Sequence, residues 1–571
     1  QLYRQFTITI AVSVLLSTVV ALTLSPVMCS LILKPDSGKK KNIVFRKINE
    51  WLNLGNHKYV AVINRVIRNP RRLMSAFGLV LVAIFIIHRL VPTSFLPVED
   101  QGYFKIELEL PEGATLERTR VVTDRAVQYL EKNPYVAYVQ NVTGSSPRVG
   151  SNQARSELTV ILKPWEERKG ISIDKIMENV EKDLKEYPEC KVYLSTPPVI
   201  PGLGTSGGFE MQLEARGEAT FDNLVQAADT LMYYAQKHKE LTGLSSSLQS
   251  EIPQLYFDVD RDKVKMLGVP LADVFSTMKA YTGSVYVNDF NMFNRIYKVY
   301  IQAEAPYREH KDNINLFFVK AKDGVMVPLT SLGNASYTTG PGSIKRFNMF
   351  TTAVIRGSAA QGYSSGQAME IMEQIARNHL PDNIGLEWSG LSYQEKKAGG
   401  QTGLVLTLVF LFVFLFLAAQ YESWTVPIAV LLSLPVAALG AYLGVVICGL
   451  ENDIYFQIGL VMLVGLAAKN AILIVEFAKV QVDKGGDLIQ SAIHAAQLRF
   501  RPILMTSLAF VLGMLPMVLA SGPGSASRQA IGTGVFFGMI FAIVFGIVLV
   551  PFFFVLVYKT KAKVQHKIKK D

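Results

Sequence analysis

Long runs of apolar residues alternate with polar segments along the chain, and this alternation divides it into two kinds of region. A helix needs about 20 consecutive apolar residues to cross the hydrocarbon core of a bilayer. Seven stretches are that long or nearly so: 6–33, 73–91, 403–419, 425–448, 455–480, 503–520 and 529–558. Between the second and the third, residues 93–400 have the composition of an ordinary globular domain. The pattern predicts a polytopic α-helical membrane protein with one large water-exposed region.

Within residues 93–400, strand-like and helix-like patterns follow each other in a repeating order. They run β-α-β-β-α-β over 103–110, 115–130, 135–142, 157–162, 174–186 and 191–195. This is the order of the split-βαβ, or ferredoxin-like, sandwich. The order restarts with strand 209–215, helix 221–238, strand 254–259 and helix 261–266, is interrupted over 271–340, and resumes with strand 353–357, helix 365–378 and strand 384–388. We therefore predict an α+β region of two small modules with an inserted third subdomain.

A third pattern, of apolar and basic positions at helical spacing, covers residues 43–68. Val44, Ile48, Trp51 and Leu52 fall on one face, and Lys47 lies off it. Such a helix is typical of the interface of a membrane, where its apolar side enters the headgroup region. A surface helix packed on protein is the alternative.

The cations of the chain are concentrated in two polar segments. The formal net charge is +11, and the excess falls in 34–72 and in the tail 559–570. Both segments lie on the same side if the seven spans alternate, and the positive-inside rule makes that side cytoplasmic. Residues 93–400 then face the exterior. The basic residues therefore indicate membrane orientation, and no nucleic-acid partner is expected.

One predicted span carries a charge near its midpoint. Lys469, followed by Asn470, interrupts the apolar run from Phe456 to Gln481. A charge at that depth costs about 2.5–3.5 kcal/mol on insertion scales, so such residues usually face a bundle interior and have a function there. A lysine that snorkels to the headgroups is the alternative, which suits helix ends better. Glu476 falls on the same face, about 10 Å along the helix, and is interpreted as a neighbouring group near the cytoplasmic end.

Two loops of the exterior region are distinctive. The glycine-rich segment 202–208 lacks the lysine and the strand–loop–helix setting of a phosphate-binding loop. It is expected to be a flexible loop. Residues 143–153 link two predicted strands and are longer than a hairpin requires.

Several motifs together resemble those of one transporter family. The longest are Gly465-LAAKNAILIVEFAK and Arg499-FRPILMTSLAFVLGMLP, and the others are Phe95-LPVEDQGYF, Tyr286-VNDF, Ala418-AQYESW and Leu24-SPVMCSLILKP. In this order the chain resembles the C-terminal half of a resistance-nodulation-division (RND) efflux pump, in the hydrophobe/amphiphile exporter branch of Gram-negative bacteria. It begins with Gln1 and enters an apolar span almost at once, which we interpret as the last span of a missing N-terminal part.

The resemblance implies a homotrimer in the inner membrane, with twelve spans and two large periplasmic loops in each protomer. This chain would supply spans six to twelve and the second loop. The implied domains are span 1–33, a basic cytoplasmic segment 34–72, span 73–91, a first porter subdomain 92–200, a second porter subdomain in two parts 201–253 and 341–400, an inserted docking subdomain 254–340, five spans 401–558 and a basic cytoplasmic tail 559–571.

The resemblance also implies a proton relay between spans. By motif position this chain would contribute Lys469, Asn470, Arg499 and Thr506, while the expected aspartate pair is absent from it. Arg499 and Thr506 are seven residues apart, which places them on one helical face. A cytoplasmic-edge anchor is the alternative for Arg499. On this reading the chain alone does not transport.

The resemblance identifies substrate-contacting residues less directly than it identifies the relay residues. By position Tyr138, Gln140, Thr143 and Thr159 would face an inner pocket and Tyr193 an outer one, with tyrosines binding flat amphiphiles by stacking. The loop that separates the pockets would contain Gly202, Gly204, Gly207 and Gly208. Ordinary strand packing is the alternative for each pocket residue.

The function implied is proton-driven export of amphiphilic drugs, dyes and detergents through a tripartite complex with a periplasmic membrane-fusion adaptor and an outer-membrane channel. A secondary active transporter needs no cofactor or metal, and no catalytic set of an enzyme is evident. One alternative is a heavy-metal exporter, for which only Met369 and Met372 lie one helical turn apart. The other is a non-transporting half-pump subunit.

Overall fold

The computed structural model describes residues 2–32, 43–146, 149–168, 170–200, 202–204, 207–248, 250–360, 362–399 and 402–568. Four predicted features fall partly outside these residues. They are the basic segment at 33–42, the loop 143–153 at 147–148, the glycine-rich loop at 201 and 205–206, and the basic tail at 569–571.

The N-terminal part consists of four helices. They are α1 (Leu2–Leu22), α2 (Leu24–Ile32), α3 (Ile43–Arg68) and α4 (Pro70–Leu90). The helix expected at 43–68 is present as α3. Ile63 of α3 is buried in the core of the membrane helices and Leu52 is also buried, whereas Trp51 is 63% exposed. The apolar side of α3 therefore packs on protein in part and is open in part.

The first sheet follows α4 along the chain and precedes the second module. Its strands and helices alternate in the order β1 (Tyr103–Glu109), α5 (Leu116–Glu131), β2 (Val136–Ser146), β3 (Gly150–Leu162), α6 (Ile173–Leu184) and β4 (Lys191–Ser195). The spatial order is β2-β3-β1-β4, and each neighbouring pair is antiparallel. Phe104, Ile106 and Leu108 of β1 are buried in the core that contains residues of both helices. Thr115 and Ser172 cap the two helices by accepting backbone N–H bonds.

The second module begins with β5 (Phe209–Ala215), α7 (Phe221–Ala235) and β6 (Leu241–Ser246). An inserted subdomain follows, with β7 (Ile252–Val259), α8 (Arg261–Met266), α9 (Leu271–Met278), β8 (Val285–Met292), β9 (Arg295–Ile301), β10 (Phe318–Lys320), β11 (Met326–Pro328) and β12 (Gly333–Gly340). β7 pairs with β12, and these strands form the base of the insertion.

The chain returns to the module through β13 (Lys345–Phe347), β14 (Phe350–Ala359), α10 (Ser365–His379), β15 (Ile384–Trp388) and α11 (Gly390–Gly399). The second sheet has the order β13-β14-β5-β15, and β6 pairs with β14. The sequence interpretation was wrong about one strand, because it assigned 254–259 and helix 261–266 to this module. β6 takes that place. Its residues, Leu-Thr-Gly-Leu-Ser-Ser, lack the apolar alternation that marks β7.

The C-terminal part is helical. Its elements are α12 (Thr402–Tyr421), α13 (Val426–Leu431), α14 (Leu434–Cys448), α15 (Ile454–Asp483), α16 (Leu488–Val518), α17 (Ser525–Phe541) and α18 (Ile547–Ile568), with a π-helical turn Ala542–Gly546 between the last two. Pro502 and Pro516 lie inside α16, and Pro551 lies inside α18.

Seven helical segments of the described chain are long and apolar enough to cross a membrane, as the hydropathy predicted. They are Ile8–Ile32, Pro70–Leu90, Gly403–Tyr421, Val426–Cys448, Ile454–Asp483, Leu488–Val518 and Ser525–Ala562. The largest difference from the predicted bounds is in the sixth, which begins at Leu488 instead of 503. Arg499 is therefore inside a continuous helix and not at its end.

Glycines allow α14 and α17 to approach closely. A Cβ atom added at Gly440 would lie 2.5 Å from Cβ of Phe541, and one added at Gly444 would lie 2.6 Å from the ring of Phe537. At contacts below 3.0 Å something must shift, and at Gly440 the atoms met include Cβ of Phe541 and the carbonyl oxygen of Phe537, which a rotamer change cannot move. Small residues at such a seam let helix backbones pack in a membrane, where dispersion contacts provide much of the attraction.

A tyrosine of α3 completes the hydrogen bonding of the kinked helix α18. Pro551 has no N–H group to donate to the carbonyl of Ile547, four residues earlier. The hydroxyl of Tyr59 donates to that carbonyl oxygen at 2.9 Å. Since unpaired backbone groups are costly in lipid, this contact fixes α3 against α18.

Candidate functional site

The candidate relay begins on one face of α15. Asp453 caps the helix by accepting the N–H of Phe456 at 2.7 Å. Along the helix Gly465, Lys469 and Glu476 are exposed in the described chain. These positions repeat at helical spacing and share one face, while the opposite side packs in the membrane core. Lys469 therefore points away from the helices that this chain packs against α15.

Asn470 and Thr506 have different surroundings from Lys469. Asn470 is 7% exposed, and its amide donates to Oγ of Ser507 on α16 at 3.0 Å. This bond joins α15 to α16 beside the lysine. Thr506, the residue before Ser507, is exposed, and its hydroxyl donates to the carbonyl of Pro502 at 3.0 Å. Asn470 thus fixes the helix pair, and Thr506 lies on its open side.

Arg499 contacts α15 through an aromatic ring. Its guanidinium carbon lies 3.6 Å from the ring centroid of Phe477, a cation–π geometry. Its Nε is buried and has no hydrogen-bond partner among the described residues. A buried donor left unpaired costs about 1–3 kcal/mol. Arg501, by contrast, donates to Asn49 of α3 at 2.6 Å. Arg499 faces the helix bundle and Arg501 faces α3.

The structure therefore places all four predicted relay residues on two packed helices but does not connect them. Among the described residues, no hydrogen bond or ion pair joins Lys469 to Arg499, to Thr506 or to an acid. The sequence reasoning missed a second lysine of α15, Lys479, which donates to the backbone oxygen of Tyr421 at 2.9 Å. Lysines commonly bind free carbonyls at a helix C-terminus, so Lys479 caps the end of α12.

Sequence reasoning also missed a group of carboxylates at the junction of the membrane helices with the sheets. The segment 91–100 pairs with 452–454: Thr93 forms a parallel bridge with Asn452, and Ile454 N–H donates to the carbonyl of Phe95. Glu99 accepts the N–H groups of Ala526 (3.3 Å) and Ser527 (2.8 Å) in the first turn of α17. A carboxylate at a helix N-terminus is stabilised by the helix dipole.

The pKa values of two acids at this junction are raised well above the usual range for a carboxyl group. Burial, reinforced by Glu451 and Glu99, raises the pKa of Asp453 to about 7, although the bond from Phe456 N–H opposes the shift. Burial, reinforced by Glu451, raises the pKa of Glu395 to about 7, opposed by the hydroxyl of Ser365 at 2.8 Å. Both groups therefore change charge near neutral pH. The feature of the sequence that could have identified these two acids is their position near the ends of predicted spans.

The candidate substrate cleft lies between the two sheets. It has a cavity volume of about 60 Å³ and is lined by both sheets, including Lys105, Tyr193, Gly207, Ser245 and Arg356. Of the predicted pocket residues, Tyr193 and Gly207 line it.

The strand register locates the other pocket residues. Gln140 is the direct partner of Thr159, Tyr138 lies two residues from Gln140, and Thr159 is paired with Lys105. All of these lie on the sheet face opposite the helices, and Tyr138 is 74% exposed. Thr143 is paired with Ser156, which is buried on the helix side. The structure thus brings Tyr138, Gln140 and Thr159 to the cleft side of the first sheet and places Thr143 on the other.

The cleft is charged rather than aromatic. Nζ of Lys105 lies 2.5 Å from a carboxylate oxygen of Glu157, and Nε of Arg356 lies 3.0 Å from Glu210. Nearby, Arg155 is 3% exposed and binds Glu107 at 3.1 Å. Of the glycines expected in the pocket loop, Gly202, Gly204 and Gly208 have positive φ angles.

An exposed hairpin extends from the inserted subdomain. Nearly every residue of β8 and β9 is exposed. The hairpin carries aromatic side chains on both faces, with Phe290 stacked on Tyr297 at 5.4 Å and Phe293 84% exposed at the turn. So much apolar surface on a two-stranded ribbon is typical of a contact with another protein surface.

Comparison with known proteins agrees with the membrane motifs. A model of the AcrB/AcrD/AcrF family matches residues 1–558. The multidrug/solvent efflux pump membrane transporter MepB of Pseudomonas putida is 38% identical over 563 residues, which are 97% of this chain and 53% of that protein. Multidrug resistance protein MdtF of Escherichia coli (strain K12) is 39% identical over 564 residues, 98% of this chain and 54% of MdtF.

Multidrug export protein AcrF of Escherichia coli (strain K12) is 37% identical over 565 residues, 97% of this chain and 54% of AcrF. The chain spans about half the length of these curated relatives. The predicted resemblance is confirmed along almost the whole chain. This multi-pass membrane protein, with its seven apolar helices and its sheet-rich region, belongs to the AcrB/AcrD/AcrF family of RND multidrug efflux transporters.

Proposed function

We propose that the chain forms part of a proton-driven exporter of amphiphilic and hydrophobic toxic compounds, which removes them from the inner membrane and periplasm through a tripartite envelope complex. In this arrangement α3 and the C-terminal tail are cytoplasmic, and residues 93–400 are periplasmic. The observation that carries the proposal is Lys469 within the apolar span of α15, packed beside α16, where the Nε of Arg499 is buried with no hydrogen-bond partner among the described residues.

Both cations call for an anionic partner on another segment. Lys469 lies on the open face of α15 within an apolar span. A charged lysine there is stable only beside an opposite charge or in a polar cavity. The family resemblance supplies that partner as two aspartates on another span. Protonation of such an acid removes the attraction, because only its ionised form binds the cation. The lysine then moves between two discrete arrangements as protons pass.

The two sheet modules supply the transport path in this proposal. We infer that they are porter subdomains of the split-βαβ type, since the first has the β-α-β-β-α-β element order and the sheet order β2-β3-β1-β4. The helix-free face of the first sheet and the second sheet enclose the cleft that Tyr193 and Gly207 line. Drugs, dyes and detergents would pass through it, with Tyr138 on the same sheet face for stacking.

The proposed partners follow from exposed surface. We propose a homotrimer in which the hairpin β8–β9 reaches a neighbouring protomer, because its aromatic residues remain uncovered in this chain. The rest of the insertion would dock toward the outer-membrane channel, with a membrane-fusion adaptor alongside. Export of heavy metals is not favoured. Met369 and Met372 are buried in the core of the second module, away from the cleft.

The test is the accumulation of a fluorescent amphiphile in pump-deficient cells that express the full-length protein. Native protein should lower accumulation, and Lys469→Ala should abolish this effect at equal protein level, because the acids lose the cation that responds to their protonation. Lys484→Ala is the matched control, since Lys484 is an exposed lysine at the C-terminal end of the same helix. If Lys469→Ala exports as well as the control, the relay assignment fails.

A further inference from the structure

An apolar groove lies among three helices on the side of the basic segments. It has a cavity volume of about 250 Å³. Helix α3, helix α16 and the π-helical turn with α18 line it, through residues that include Trp51, Gly55, Phe500, Leu504, Val544 and Val548.

The walls of the groove are fixed and apolar. Tyr59 stacks on Phe500 with ring centroids 4.7 Å apart, and its hydroxyl is occupied by the carbonyl of Ile547. The absence of a side chain at Gly55 leaves the space over Phe500 open, because a Cβ there would lie 3.7 Å from that ring. The described side chains of Tyr59 and Phe500 and the bare Gly55 therefore offer dispersion contacts and no free hydrogen-bonding group. That chemistry suits a hydrocarbon chain.

The outer edge of the groove is open toward the surrounding medium. Trp51 is 63% exposed, Val544 54% and Phe545 50%. Both Val544 and Phe545 lie within the membrane-spanning segment Ser525–Ala562. A chain lying in the groove therefore remains continuous with the bilayer.

Cations stand at the polar end of the groove. Lys47 precedes Trp51 by one helical turn, which places it beside Trp51 at the border of the apolar face of α3. Arg501 follows the lining residue Phe500, and its bond to Asn49 holds the guanidinium against α3. Arg46 lies 3.7 Å from Glu50, so that pair adds little net charge. Two cations therefore remain in excess beside an apolar slot.

We propose that this groove, formed by α3, α16 and α18, is a binding site for one acyl chain of an anionic phospholipid of the cytoplasmic leaflet, with Lys47 and Arg501 beside its phosphate. The proposal rests on the orientation given above for α3. Each cation near an anionic headgroup increases binding roughly fivefold. A bound lipid would fill the space between α3 and the kinked part of α18 and hold that junction at a fixed depth.

Photo-crosslinking of the full-length protein in native membranes tests this site. A benzophenone amino acid replaces Val544, and mass spectrometry identifies what it captures after irradiation. We expect a diacyl phospholipid adduct in which anionic headgroups are enriched at least about fivefold over their share of the membrane. Gly55→Leu, which fills the groove, should reduce the adduct about tenfold. Gly78→Leu is the control, because a Cβ at Gly78 meets nothing within 4 Å.

Three results would overturn the proposal: a polypeptide adduct, which would indicate a partner helix; an adduct without headgroup preference; and an adduct unaffected by Gly55→Leu. Lys47→Ala with Arg501→Ala should remove the anionic enrichment while an acyl adduct persists. A cysteine in place of exposed Asn53, probed with an impermeant thiol reagent, checks the orientation separately. Lys469→Ala should leave the lipid adduct unchanged, so a failure of the export mechanism is distinguishable from a failure of the lipid site.

Discussion

Adding one methyl group at the seam between α14 and α17 should destabilise the membrane part more than its size suggests. In Gly440→Ala the new Cβ would meet Cβ of Phe541 at 2.5 Å, its Cγ at 2.6 Å and the carbonyl oxygen of Phe537 at 2.7 Å. Two of these three atoms are the first side-chain atom and a backbone atom of α17. Rotamer changes cannot move them, so one helix must move instead.

The expected magnitude follows from the distances. Carbon atoms pack best at about 3.5–4.0 Å, so the helices must separate by about 1 Å. Overpacking of this kind costs about 1–3 kcal/mol, and the separation also loosens the neighbouring contact of Gly444 with Phe537. Replacing a helical glycine by alanine returns up to about 1 kcal/mol of helix propensity. We expect Gly440→Ala to lower the free energy of unfolding by about 1–2 kcal/mol.

Thermal unfolding of the full-length protein in detergent, followed by fluorescence-detected size exclusion, measures the effect as a lower apparent Tm. Gly78→Ala is the matched control in α4, where a Cβ meets nothing within 4 Å, and it should be neutral or slightly stabilising. Equal Tm values for Gly440→Ala and Gly78→Ala would refute the claim that the seam is packed at its limit.

Three further predictions concern single contacts. Tyr59→Phe leaves the carbonyl of Ile547 unpaired and should cost about 1–3 kcal/mol, seen as a lower Tm; an unchanged Tm would mean that another donor replaces the hydroxyl. Arg155→Met leaves buried glutamates without their cation and should cost about 3–5 kcal/mol, measured by proteolysis of the sheet-rich region, with Arg120→Met on the exposed face of α5 as the control. The pKa of Asp453 is raised to about 7, so its folded carboxylate is disfavoured. The contribution of this one group to stability is therefore greatest below about pH 4, falls as the pH rises toward 7 and is level above, by up to about 4 kcal/mol. Asp453→Asn keeps a capping side chain and should flatten the dependence of Tm on pH between 5 and 8; an unchanged slope would assign it to other groups.

Hydropathy located the membrane helices well because their length and composition are set by the bilayer. It failed at the start of α16, where Gln490, His494 and Arg499 make 488–502 too polar for an apolar window. Buried alanines, such as Ala492 and Ala496, hold this stretch against other helices. Tertiary packing therefore extends the helix beyond the part that hydropathy can identify.

The sheet-rich region shows the same limit of sequence-based prediction. The strand β1 alternates strongly and was predicted within one residue, whereas β6 is built from small polar residues and is recognisable only by its pairing with β14. For the proposed relay residues, the sequence placed the cations on helices but did not predict their orientation. That Asn470 binds Ser507, while Lys469 faces outward, depends on how α15 rotates against α16.

The contacts of the short segment 91–100 bear on how motion passes between the membrane helices and the first sheet. It is bonded to the start of α15 through Asn452 and to the start of α17 through Glu99, and it continues directly into β1. Lys469 lies 16 residues (469 − 453) beyond the cap of α15, about 24 Å along its axis. A helix changes length little under axial load, so an axial shift of α15 carries its N-terminal cap with it and acts on the segment that leads into β1, an inner strand of the first sheet. Segment 91–100 is thus the bonded link between the membrane helices and the first sheet.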